Sequence, residues 1–84
     1  MQYCLITFRS VTPAQKAESI LRRAGFLCSL QRTPRWMEAQ GCGYSLRIRY
    51  PDTGAVAHIL KKREIAYKKV YHLKEGGAAE ELAV

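Results

Sequence analysis

The hydrophobic period changes several times along the chain, and each change marks an element. Gln2–Phe8 packs apolar, aromatic and β-branched residues into a stretch too short for a helix, which predicts a first strand. Thr12-Pro13-Ala14-Gln15 then has the composition of a helix start, with Thr12 as N-cap, Pro13 at the first helical position and Gln15 at capping-box spacing. Ala14, Ala17, Ile20, Leu21 and Ala24 recur at helical spacing on one face; Lys16, Arg22 and Arg23 fall on the solvated side, where Glu18 can pair with Arg22. Gly25 supplies the left-handed residue that ends such a helix. Phe26–Gln31 alternates as a second strand, and Thr33–Gly43, holding Pro34, Gly41 and Gly43, reads as a connection. Tyr44–Tyr50 alternates strictly, with Tyr44, Leu46, Ile48 and Tyr50 opposed to Ser45, Arg47 and Arg49, and Pro51 stops it. Asp52 or Thr53 caps a second helix reaching about Ile65, its inner face formed by Val56, Ile59, Leu60 and the stem of Arg63. Tyr67–Leu73 predicts a fourth strand.

The resulting order, β-α-β-β-α-β, is the split βαβ arrangement of the ferredoxin-like α+β fold. It predicts a four-stranded antiparallel sheet with two helices on one face, built as a single domain from residues 1–75, with 76–84 as a flexible tail. Cys4, Ile6, Phe8, Leu46 and Ile48 would point at the helices, leaving Tyr3, Leu5, Arg47 and Arg49 on the open face. An open face with apolar residues suits a ligand or a homodimer interface. The fold hosts many unrelated functions and does not select one.

Composition narrows the classes. At 84 residues the chain is one small domain, too short for a two-domain enzyme. No apolar run approaches the roughly 18 residues of a membrane span, and Thr7 and Arg9 interrupt what would be a signal peptide's apolar core, so the expectation is a cytoplasmic protein without membrane partners. Net charge is +7, and Glu80 and Glu81 lie in the last residues, so the basic surplus is steeper before them. That surplus either solvates the surface or meets an acidic partner, with Lys61, Lys62, Arg63, Lys68 and Lys69 the densest candidate docking cluster. There is no carboxylate pair, Ser/His/Asp constellation or phosphate-binding Gly-rich loop, and His58 and His72 stand alone, which argues against a stand-alone enzyme and for no cofactor.

The three cysteines, an odd number without a C-x-x-C pair, fit a reducing compartment and no zinc site. Cys4 and Cys28 alternate in phase with apolar strand residues and read as small core hydrophobes. Cys42 stands between Gly41 and Gly43, which leave its sulfur open and let the backbone approach a ligand. Between positions 32 and 49, Arg32, Arg35, Arg47 and Arg49 outnumber the single acid Glu38, and nearby positive charge favours the thiolate, the species that attacks sulfur or selenium donors. Spacing alone equally allows Gly-Cys-Gly to be a tight bend with an incidental cysteine.

Thr7-Phe8-Arg9-Ser10, Ala17-Glu18-Ser19-Ile20-Leu21, Ala24-Gly25, Thr33-Pro34-Arg35 and Gly41-Cys42-Gly43-Tyr44-Ser45-Leu46-Arg47 together resemble the selenium/sulfur carrier-like family of small bacterial proteins. The resemblance spans Thr7 to Tyr50, and its most specific part is the Pro-Arg step followed by Cys-Gly. It implies that Cys42 carries a persulfide or perselenide between donor and acceptor proteins, with Arg35 and Arg47, and the backbone of Gly41 and Gly43, stabilising the anion. The Cys-Pro-x-Pro motif of better-known sulfur relays is absent, and Trp36 and Met37 add bulk to the connection. The competing reading is an RNA-binding or dimerising regulatory module. Strand 3 begins, at Gly43-Tyr44-Ser45, like the third strand of an RNA-recognition module, but Arg47 and Arg49 stand where that signature needs apolar and aromatic residues.

Overall fold

A computed structural model describes residues 2–33, 43–74, 76 and 79–82. The chain folds as β1 (Tyr3–Phe8), α1 (Val11–Arg23), β2 (Cys28–Arg32), β3 (Tyr44–Arg49), a single 3-10 turn (Tyr50–Asp52), α2 (Thr53–Lys62), β4 (Val70–Leu73) and β5 (Ala79–Leu82). The strands form one antiparallel sheet in the order β2-β3-β1-β4-β5.

The alternation of β1 and β3 decides which side the helices cover. In register, Leu30, Leu46, Ile6, Val70 and Leu82 make one row across the sheet, and Cys28, Ile48, Cys4 and His72 make the next. Apart from His72 these residues bury against Ala14, Ala17 and Leu21 of α1 and Val56 and Leu60 of α2, giving one core under both helices. The inward set Cys4, Ile6, Phe8, Leu46 and Ile48 is the one the alternation predicts.

Several boundaries differ from expectation, each for a local reason. The sheet has five strands rather than four, because Ala79–Leu82, expected to be tail, pairs with β4 and packs Leu82 against the core. Helix α1 starts at Val11 with an extended Ser10 as its cap, so Thr12 is already helical and Pro13 sits in the first turn, where its missing N–H costs nothing. Helix α2 ends at Lys62 rather than near Ile65, and Arg63 is exposed. Assigned β4 begins at Val70 rather than Tyr67. The Thr7 N–H donates to Lys69 O (2.8 Å), the Lys68 N–H donates to Thr7 O (2.7 Å), and the Lys69 N–H is taken by the Thr7 hydroxyl (3.0 Å). Two residues thus face one, as in a bulge, and regular pairing resumes only after them. On the face away from the helices Leu5 is only 2% exposed; its register neighbours there are the long side chains of Arg47 and Tyr71. That face is therefore closed at its centre.

Candidate functional site

Strands β2 and β3 converge on the segment that carries Cys42. Their ladder runs through the pair Arg32–Tyr44 and continues one step further, where the Thr33 N–H donates to Gly43 O at 3.0 Å. The two ends of the 34–42 connection therefore leave the sheet side by side, and Cys42 is bonded directly to a buried Gly43. Cys42, Gly41 and Arg35, with Trp36 and Met37, lie outside the described residues.

The side chains beside Gly43 are unusual for a strand end. Ser45 is fully buried and Thr33 is 8% exposed, and neither hydroxyl has a hydrogen-bond partner among the described residues. Both belong to the sheet face away from the helices: Ser45 stands in register between Gln31 and Thr7, and Thr33 follows one position of the same parity beyond Gln31. The Thr7 hydroxyl is occupied by Lys69, so Thr33 and Ser45 hold the uncommitted donors. A buried hydroxyl left unpaired costs about 1–3 kcal/mol, so such groups are seldom retained without use. The alternation of β3 marks Ser45 as solvent-side, which is why sequence reasoning passes over it.

The arginines divide between the two ends of β3. Arg32 stays at the connection, with its guanidinium 6.0 Å from the Tyr44 ring centre. Arg47 lies four residues along the strand from Gly43, roughly 13 Å at strand rise. Its guanidinium covers the Tyr3 ring at 4.8 Å, and Tyr3 pairs with Arg49.

The other two cysteines are held as thiols. Cys4 is fully buried with its sulfur 3.1 Å from the Thr53 hydroxyl, and burial raises its pKa against the lowering effect of that contact. Cys28 is half-buried beside Glu18 and Arg22; burial again raises its pKa, while Arg22 acts in the opposite sense. His72 is buried, stacked on Tyr50 with ring centres 3.9 Å apart and bonded to Gln2 at 2.7 Å, whereas His58 is exposed on α2.

The basic residues expected to dock a partner are all exposed but do not act as one run. Lys62 and Arg63 line a groove of about 490 Å³ with Arg23 and Ile20 of α1, and Arg63 lines a second of about 500 Å³ with Lys16. Lys69 is 3.4 Å from Glu81, and its backbone, like that of Lys68, is tied to Thr7. The groove partners Lys16 and Arg23 are missed by a search for charge runs, because they sit on another helix. No helix among the described residues is long and apolar enough to cross a membrane.

No curated protein and no solved structure matches the chain significantly. A family model, described as Putative Se/S carrier protein-like, matches residues 3–72, which takes in all of β1 to α2, the connection with Cys42 and the start of β4. The chain is a member of that Se/S carrier protein-like family.

Proposed function

We propose that the protein is a carrier that holds one sulfur or selenium atom on Cys42 and hands it from a donor protein to an acceptor in the cytoplasm. The observation that carries this reading is the family match over residues 3–72, a span that includes Gly41-Cys42-Gly43, where the sequence sets a cysteine between two glycines. The Cys42 thiolate attacks the terminal sulfur of a donor persulfide; the S–S bond of the donor breaks, the donor leaves as its thiolate, and Cys42 becomes the persulfide. The second transfer repeats the step in reverse order, with an acceptor thiolate attacking the terminal atom and Cys42 leaving. Selenium follows the same balance, and neither step consumes an oxidant or reductant. The hydroxyls of Thr33 and Ser45 beside Gly43, unpaired among the described residues, are the groups we assign, with Arg32, Arg35 and Arg47, to stabilising the anionic terminal atom. The grooves lined by Lys16, Arg23, Lys62 and Arg63 are the surface we assign to acidic donor and acceptor proteins.

Incubation with a cysteine desulfurase and cysteine, followed by intact-protein mass spectrometry, tests the reading. The wild type and Cys4→Ala should each gain the mass of one sulfur atom, and Cys42→Ala should gain none. An adduct retained in Cys42→Ala, or no adduct on the wild type, overturns it.

A further inference from the structure

At the end of β3 remote from Gly43, the sheet holds a depression of about 320 Å³ lined by Tyr3, Leu27, Ser29, Arg47 and Arg49 on the helix-free face, with Cys28 and Ile48 between them. Strand geometry sets its shape. Arg47 and Arg49 alternate onto the same face about 7 Å apart. Ser29 lies directly across from Arg47 in the ladder, and Tyr3 directly across from Arg49. Neither arginine has an ion-pair partner among the described residues. The Nε of Arg49 is buried and has no partner among the described residues, a donor that folding has desolvated. The Arg47 guanidinium lies over the Tyr3 ring, 4.8 Å from its centre, a cation–π contact at the rim of the depression.

We infer that this depression binds the phosphate group of a small phosphate ester. Two guanidiniums and a hydroxyl lining one depression suit a tetrahedral oxyanion with several oxygens better than a planar carboxylate, which one arginine satisfies. The site has more room than a bare ion needs, and its volume falls at the low end of small-molecule pockets. Leu27, 69% exposed, supplies an apolar wall for the esterified group. The next row on this face, Leu5 and Tyr71, carries no cation beyond Arg47 itself, so the positive charge forms a pocket rather than the track a nucleic-acid strand requires. The site lies at the other end of β3 from Gly43, and its assignment does not rest on the chemistry of Cys42.

Amide NMR titrations of the full chain with adenosine 5′-monophosphate, inorganic phosphate, adenosine and a single-stranded oligoadenylate test the assignment. The monophosphate should give saturable shifts at Tyr3, Leu27, Ser29, Arg47 and Arg49. Inorganic phosphate should shift the same residues more weakly, and adenosine none of them. Arg49→Gln and Arg47→Gln should each weaken the monophosphate at least tenfold, while Arg63→Gln and Cys42→Ala bind as wild type; two arginine variants are used so that a folding defect in one leaves the other decisive. Shifts spread over Lys61–Arg63 and Lys68–Lys69, wild-type binding by both arginine variants, or an oligoadenylate binding more than tenfold tighter than the monophosphate would each overturn it.

Discussion

For a cysteine, burial and neighbouring charge act on the same equilibrium, and in this chain both bear on the two described cysteines. Cys4 is enclosed between α2 and the sheet, and loss of solvent around its sulfur favours the neutral thiol; Cys28, at the sheet edge, feels the same effect with Arg22 opposing it. At neutral pH an alkylating reagent should therefore modify native Cys28 slowly and Cys4 only as fast as the chain unfolds. Cys42, if it is the carrier, should react first. Peptide mapping after timed iodoacetamide pulses measures the order, and Cys4 reacting as fast as Cys28 would contradict the packing. Burial also fixes a pH dependence. Because burial raises the folded pKa of Cys4 above the ordinary thiol value, the folded state holds that proton more tightly. The stabilisation is complete below that value and is lost as pH rises through and beyond it. Melting temperatures measured from neutral to strongly alkaline pH should fall more steeply for the wild type than for Cys4→Val, which has no proton to lose.

Both helices end in the same hydrogen-bond motif, built on different residues. After α1, the Phe26 N–H donates to Leu21 O (2.9 Å) and the Gly25 N–H to Arg22 O (3.1 Å); after α2, Ile65 donates to Leu60 (2.9 Å) and Glu64 to Lys61 (3.1 Å). The pivot must be left-handed in each, with φ of 90° at Gly25 and 58° at Glu64. A side chain there costs roughly 1–2 kcal/mol, partly offset in glycine by unfolded-state entropy. Glu64→Gly should therefore stabilise the protein by about 0.5–1 kcal/mol, read as a raised melting temperature, whereas Gly25→Ala should lower it. Gly25 announces its helix end in the sequence, but Glu64 does not, because nothing in its chemistry asks for that backbone; it is held there by Ile65, which turns inward to join the core. The start of β4 is hidden for a similar reason, since the doubled pairing of Lys68 and Lys69 against Thr7 depends on a hydroxyl 62 residues away. The order of the first four strands and the core face are legible because period-2 and period-3.6 patterns report burial directly. Of the site, the glycines around Cys42 are legible, but Thr33 and Ser45 are not. Alternation assigns them to the open face and carries no information about whether that face is wet.

Across the whole molecule, β5 is the element whose composition says least about its role. Ala-Glu-Glu-Leu has two adjacent acids and low strand propensity, yet it closes the β4 edge. Three weak features act together there. Leu82 packs on the core, and Glu81 and Glu80 face Lys69 and Lys74 at 3.4 and 2.7 Å. The lysine lowers the Glu80 pKa, so this pairing is present at neutral pH and is lost as pH falls through the folded value. Both pairs are solvent-exposed and contribute little, so the strand is held mainly by its backbone ladder and by Leu82. Its position still matters, because charged side chains on an edge strand discourage pairing with other chains. Deleting residues 76–84 should destabilise the domain by about 1–2 kcal/mol through the lost apolar burial, lowering its melting temperature by roughly 4–15 °C. It should also make the protein concentration-dependent in sedimentation, because Val70–Leu73 becomes an unpaired edge. The double substitution Glu80→Gln and Glu81→Gln, which keeps Leu82 and the ladder, should melt close to the wild type and stay monodisperse under the conditions that keep the wild type so. A truncated chain that melts with the full-length protein would mean that β5 contributes nothing to stability, and a glutamine variant as unstable as the truncation would place the stabilisation in the two ion pairs instead.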